Sequence, residues 1–104
     1  MRKRRYEILL PLKHNDGRPF GVELFEQTRE ELVAQFGGVT LLPHTVLGIW
    51  VHQGARHEDE LLRFVVDVDD TPEIQQFFAQ FKTLLIERFE QVEVYIASYP
   101  VDIV

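Results

Sequence analysis

Gln35 to His52, which reads QFGGVTLLPHTVLGIWVH, constrains this chain more than any other stretch. It joins the end of a helix to a glycine pair, then to an extended run that carries the sole tryptophan, Trp50. Gly37-Gly38 stops the helix, because glycine adopts the left-handed capping conformation without a Cβ penalty. Val39 to Val51 then reads as one strand, bent at Pro43.

The flanks extend this into a complete order. Tyr6 to Leu12 alternates as a strand, with Tyr6, Ile8, Leu10 and Leu12 on one face. Pro11 lacks an amide donor and belongs near a strand end or an edge. His14 to Pro19 is turn chemistry around Gly17. Val22 to Phe36 has helical spacing, its stripe made of Val22, Phe25, Arg29, Leu32, Val33 and Phe36.

Gln53 to Asp59 reads as the turn that reverses the chain. Glu60 to Asp69 alternates cleanly, Leu62, Phe64, Val66 and Val68 against Leu61, Arg63, Val65 and Asp67. The aliphatic match puts Leu47, Ile49 and Val51 on the Phe64 face, and Gly48, Trp50 and His52 on the other. Asp70 or Thr71 caps a second helix with Pro72 at its first position. Its stripe of Ile74, Phe77, Phe78, Phe81, Leu84, Leu85 and Phe89 reads as core and runs to about Glu90. Val92 to Tyr99 is the last strand, closed by Pro100.

Strand, helix, strand, strand, helix, strand implies an α+β fold. The expected architecture is a ferredoxin-like βαββαβ sandwich, a four-stranded antiparallel sheet with two helices on one face. At 104 residues a single domain over positions 6–104 is expected, preceded by a flexible basic tail at positions 1–5.

Composition narrows function by exclusion. The absence of cysteine removes disulfides, thiolate metal sites and cysteine nucleophiles, and accords with a cytoplasmic protein. Four of the 11 basic residues lie in positions 2–5, leaving seven against 17 acidic residues in the rest. Such a body repels phosphate, so no nucleic-acid partner is expected. The apolar run behind the basic N-terminus is too short for an export signal, and no membrane association is expected.

The chain resembles a family of small bacterial proteins without assigned activity. The likeness rests on Tyr6-Glu7-Ile8, Asp16-Gly17, Gln35 to Thr40, Gly48-Ile49-Trp50, Asp67 to Glu73 and Tyr99-Pro100. It implies a ferredoxin-like fold and carries no catalytic residues.

The sheet face turned away from the helices is where function is expected. It would hold Leu9, Trp50, His52, Leu61, Arg63, Val65, Asp67, Glu93, Tyr95, Ala97 and Tyr99. Aromatics and arginine on such a face favour an interface, here a homodimer packed sheet to sheet, with Trp50, His52, Arg63, Tyr95 and Tyr99 as contact residues. A small-molecule pocket is the second reading, with Trp50 and Tyr95 as walls. A solvated face with no role is the third. The rival to a binding or interaction module is a cofactor-free enzyme of the dimeric α+β barrel type. There His52 would transfer protons, with Asp67 and Glu93 as further candidates. Cross-strand salt bridges from Arg63 would account for the same acids without catalysis. His14, His44, His52 and His57 lack metal-ligand spacing, so neither a metal nor a cofactor is expected.

Overall fold

The computed structural model describes residues 1–42 and 44–104. Among the described residues, five strands and two helices follow one another as β1 (Arg2–Pro11), α1 (Val22–Phe36), β2 (Thr40–Leu41), β3 (Val46–His52), β4 (Ala55–Val68), α2 (Pro72–Arg88) and β5 (Tyr95–Asp102). The sheet is antiparallel, in the order β2-β4-β1-β5, and β3 also pairs with β4.

Five strands replace the four expected. The run read as one strand from Val39 to Val51 meets β4 twice, with Thr40 opposite Val65 and Val46 opposite Leu61. The expected bend at Pro43 falls outside the described residues.

One core organises the layers. Tyr6, Ile8 and Leu10 of β1 and Phe64, Val66 and Val68 of β4 meet Leu32 of α1 and Phe78, Phe81 and Leu85 of α2. Both helices therefore cover the same sheet face. Tyr6 stacks on Phe78 with ring centroids 3.9 Å apart, and Phe36 reaches Phe78 at 5.4 Å. On α1 the buried positions are Thr28 and Leu32, so the stripe expected through Val22 and Val33 is rotated toward Thr28. The reason is Arg88 of α2, whose guanidinium bonds both Thr28 Oγ1 (2.9 Å) and the Glu31 carboxylate (2.9 Å), drawing that side of α1 inward. Leu84, expected in the α2 stripe, is exposed.

The helix ends follow local rules. Thr71 Oγ1 accepts the Ile74 amide at 3.2 Å with Pro72 next in line, and Gly37 takes φ 81° as its amide reaches Val33 O.

Strand boundaries move at three places. β1 begins at Arg2 rather than Tyr6, because each basic residue meets an acid: Arg2 with Asp102, Lys3 with Asp69, Arg4 with Asp70 and Arg5 with Asp67. The turn read over Gln53 to Asp59 contracts to Gln53 (φ 50°) and Gly54 (φ 79°), the positive angles that let a two-residue hairpin pair at once. β5 starts at Tyr95 rather than Val92 and continues through Pro100 to Asp102, which an edge strand permits.

Candidate functional site

Register determines what the uncovered face holds. Leu9 pairs with both Arg63 and Tyr95, Pro11 with Leu61, Gly48 with Asp59 and Trp50 with His57. Directly paired residues share a face, so Trp50 stands on the side of Leu9, Leu61, Arg63, Asp67, Tyr95 and Tyr99. The hairpin register is the one the alternation implied, although the reason given for it fails. Leu47, Ile49 and Val51 join no core and are 61%, 51% and 70% exposed.

The uncovered face divides into two halves. Toward the start of β1, Arg5 grips Asp67 through two hydrogen bonds, Nε to Oδ1 at 2.7 Å and Nη2 to Oδ2 at 2.9 Å. The hydrogen bond to Asp67 raises the Arg5 guanidinium pKa further above its usual range. Beside it Tyr99 donates its hydroxyl to Glu7 at 2.8 Å. These four side chains satisfy one another.

Toward the end of β1 the face becomes apolar and concave. A cavity of about 470 Å³ opens there. Leu9, Pro11 and Leu61 form its floor, Trp50 and Tyr95 stand in its walls, and Asp59, Gln91 and Glu93 border it. Gly48 also lines it, and a Cβ at that position would come within 2.9 Å of Leu61 Cδ1 and 3.4 Å of the Trp50 ring. The bare glycine therefore leaves the indole room to lean along the strand, while His57 stacks on the indole at 5.9 Å.

Glu93 is bound on its outer side by Lys82 (3.0 Å) and by the Val94 amide (3.1 Å). Lys82 first, then that amide, hold its pKa below the usual carboxylate value. A carboxylate kept ionised in this way is an acceptor or a negative charge, not a proton donor near neutrality.

Of the residues picked out from sequence, Trp50, Tyr95 and Glu93 come together at the cavity. His52 sits opposite Ala55 at the hairpin tip, exposed and outside the cavity. Asp67 and Tyr99 belong to the polar half. Arg63 is opposite Leu9 between the halves, and among the described residues its Nε is buried without a hydrogen-bond partner. The salt bridges expected between Arg63 and Asp67 or Glu93 do not form, because Arg5 and Lys82 already hold those carboxylates.

The sequence marks neither Asp59 nor Gln91, reads Pro11 only as a strand-end or edge residue, and places Gly48 on the Trp50 face without a role at the site. Asp59 was masked by its polar neighbours, which read as turn, and a glycine in a strand is the one signal that pointed to Gly48. Among the described residues no three His, Asp or Glu side chains converge as metal ligands, and no helix is long and apolar enough to cross a membrane.

Comparison with known proteins places the fold. No family model and no curated protein matches this sequence. A phage SAM lyase solved in complex with S-methyl-5′-thioadenosine is similar in structure, with a TM-score of 0.71 and 13% identity over 97% of this chain and 90% of that one. The divalent cation tolerance protein Cut A1 from Thermus thermophilus is also similar, with a TM-score of 0.64 and 18% identity over 99% and 86%. At such identities the likeness is one of fold.

Proposed function

We propose that this protein is a small-molecule-binding module, and that its ligand is an uncharged or cationic compound with an aromatic body. The cavity between Trp50 and Tyr95 carries the reading. Its volume falls within the roughly 300–1,000 Å³ of ligand pockets, which are apolar with a few polar groups that orient the occupant. The charged groups at its border, Asp59 and Glu93, are both acidic. They favour hydroxyl, amino or cationic groups and repel phosphates and carboxylates, as does the chain's net charge of −6.

The fold reading that accompanies this is ferredoxin-like, with β2 and β3 sharing one edge position beside β4. It is supported by the sheet order and by both structural neighbours. The nucleoside thioether held by the phage lyase is uncharged, with a purine to stack and hydroxyls to donate, so it serves as the first probe. A cytoplasmic, cofactor-free protein is consistent with this reading. His52, at the hairpin tip, has no part in it.

Packing two uncovered faces together is disfavoured. It would bury the Arg5–Asp67 pair, and desolvating an ion pair costs several kcal/mol per charge. The test is a titration with S-methyl-5′-thioadenosine followed at the Trp50 indole N–H by NMR. Calorimetry follows the variant that lacks the indole. A saturable shift in the wild type, affinity retained in Trp50→Phe and affinity at least about tenfold weaker in Gly48→Val support the reading. Saturable binding that leaves the Trp50 signal unmoved refutes this location.

A further inference from the structure

The sheet ends in two edges that differ in their chemistry. Leu12 N–H donates to the Glu60 carbonyl at 3.0 Å, and Leu42 N–H to the Arg63 carbonyl at 3.2 Å. Even-numbered residues of β4 therefore turn their backbone groups to β1, and odd-numbered residues turn theirs to β2 and β3. It follows that Val46, Gly48, Trp50 and His52 bond to β4, while Leu47, Ile49 and Val51 point their N–H and C=O groups outward.

At the other edge Ile103 N–H bonds to Met1 O at 2.8 Å, so the even-numbered residues of β5 face outward. These include Pro100, which has no N–H to offer, and the charged Asp102. β5 is thus blunted by two of the devices that keep sheet edges from pairing. β3 has neither a proline nor a charge in Val46 to His52.

We propose that a second copy of this chain pairs with the β3 edge, antiparallel about a two-fold axis through Ile49. The sequence is self-complementary in that register. Leu47 lies opposite the partner's Val51, and Ile49 opposite the partner's Ile49, so the three outward-facing aliphatics that no helix covers cover one another. On the same face Arg56 flanks Val51 and Glu60 flanks Leu47. Antiparallel pairing ends each of those rows with opposite charges. On the other face Trp50 lies beside the partner's Gly48. Gly48 lines the cavity, so each cavity gains an aromatic wall from the other copy. A seven-residue edge is small beside the roughly 800 Å² per partner of a standard interface, so the dimer dissociates on dilution.

The inference needs no ligand, and its test reads assembly rather than ligand binding. Sedimentation velocity on the wild type gives a monomer–dimer equilibrium. Ile49→Lys raises the dissociation constant at least about tenfold, by opposing like charges across the axis. Ile49→Pro does the same while costing the hairpin no internal hydrogen bond, since the Ile49 N–H points outward; circular dichroism checks that both variants fold. The chain has no cysteine of its own, so Ile49→Cys reports on register. Hydrogen-bonded antiparallel pairs bring Cα atoms to about 5.5 Å, within disulfide reach, and this variant cross-links under mild oxidation whereas Val51→Cys does not. A monomer at all concentrations, a closed ring of three or more copies, or a dimer untouched by Ile49→Lys overturns the proposal.

Discussion

The two ends of β4 belong to one strand and obey different rules. From Leu61 to Val68 one side rests on the helices, and Phe64, Val66 and Val68 are buried at 1%, 2% and 6% exposure. From Ala55 to Asp59 the strand pairs only with β3 along its hairpin edge and stays mostly exposed. The difference teaches that alternation is written into a strand only where one face is covered. The cavity lies at the junction of the two ends, on the side away from the helices, where Leu61 and Asp59 are successive residues of that face.

The largest effect that sharpens this contrast lies on the covered end. Phe64→Ala is expected to lose about 3–5 kcal/mol in chemical denaturation, by emptying a fully packed site. A truncation on β3 beside the uncovered end, Leu47→Ala opposite Glu60, is expected to stay within about 0.5 kcal/mol at a protein concentration low enough to keep the chain monomeric. A loss comparable to that of Phe64 would break the contrast.

At the junction, Gly48→Val is expected to weaken ligand binding at least tenfold, about 1.4 kcal/mol, with near-native stability. The new side chain displaces the far end of the Leu61 side chain, presses on the Trp50 ring and fills the space beneath it. Calorimetry of binding and thermal melting, run on the same sample, separate the two effects. In the polar half, Arg5→Ala is expected to cost up to about 1 kcal/mol of stability and to leave ligand affinity unchanged, as befits a partly exposed ion pair.

The smallest effect is one of pH. Glu93 is held below the usual carboxylate value by Lys82 and the Val94 amide. Its contribution to stability is therefore present above the ordinary carboxylate titration and is lost as pH falls through its own lower pKa. Lys82→Ala should lower stability slightly near pH 7, and the gap between variant and wild type should close in strong acid. Urea titrations at the two pH values read this directly.

How much was legible in the sequence follows the same physical division. Both helices, with the Thr71 cap and the Gly37 stop, were readable because caps and periodicity are local. The covered part of β4 was readable because Phe64, Val66 and Val68 alternate with Arg63 and Asp67. Its uncovered part was read as turn, since Arg56-His57-Glu58-Asp59 pairs only along an edge and has no core to alternate against. The basic residues 2–5 were read as a tail because their partners lie about 65 to 100 positions away at Asp67, Asp69, Asp70 and Asp102. Complementary charge across that distance is visible only once the register is known. The same holds for the site: Trp50, Tyr95 and Glu93 are legible as residues of one face, but Pro11 and Asp59 are brought to it by pairing and Gln91 by the loop that follows α2.

The measurement that bears most directly on the account is the NMR titration of S-methyl-5′-thioadenosine against the Trp50 indole N–H, wild type beside Gly48→Val and Arg5→Ala. Saturable shifts in the wild type and Arg5→Ala with the same midpoint, and a midpoint at least about tenfold higher in Gly48→Val, are the expected result. A midpoint unchanged in Gly48→Val, or a titration that moves Tyr99 and Arg5 rather than Trp50, would contradict the assignment of binding to the apolar half of the sheet.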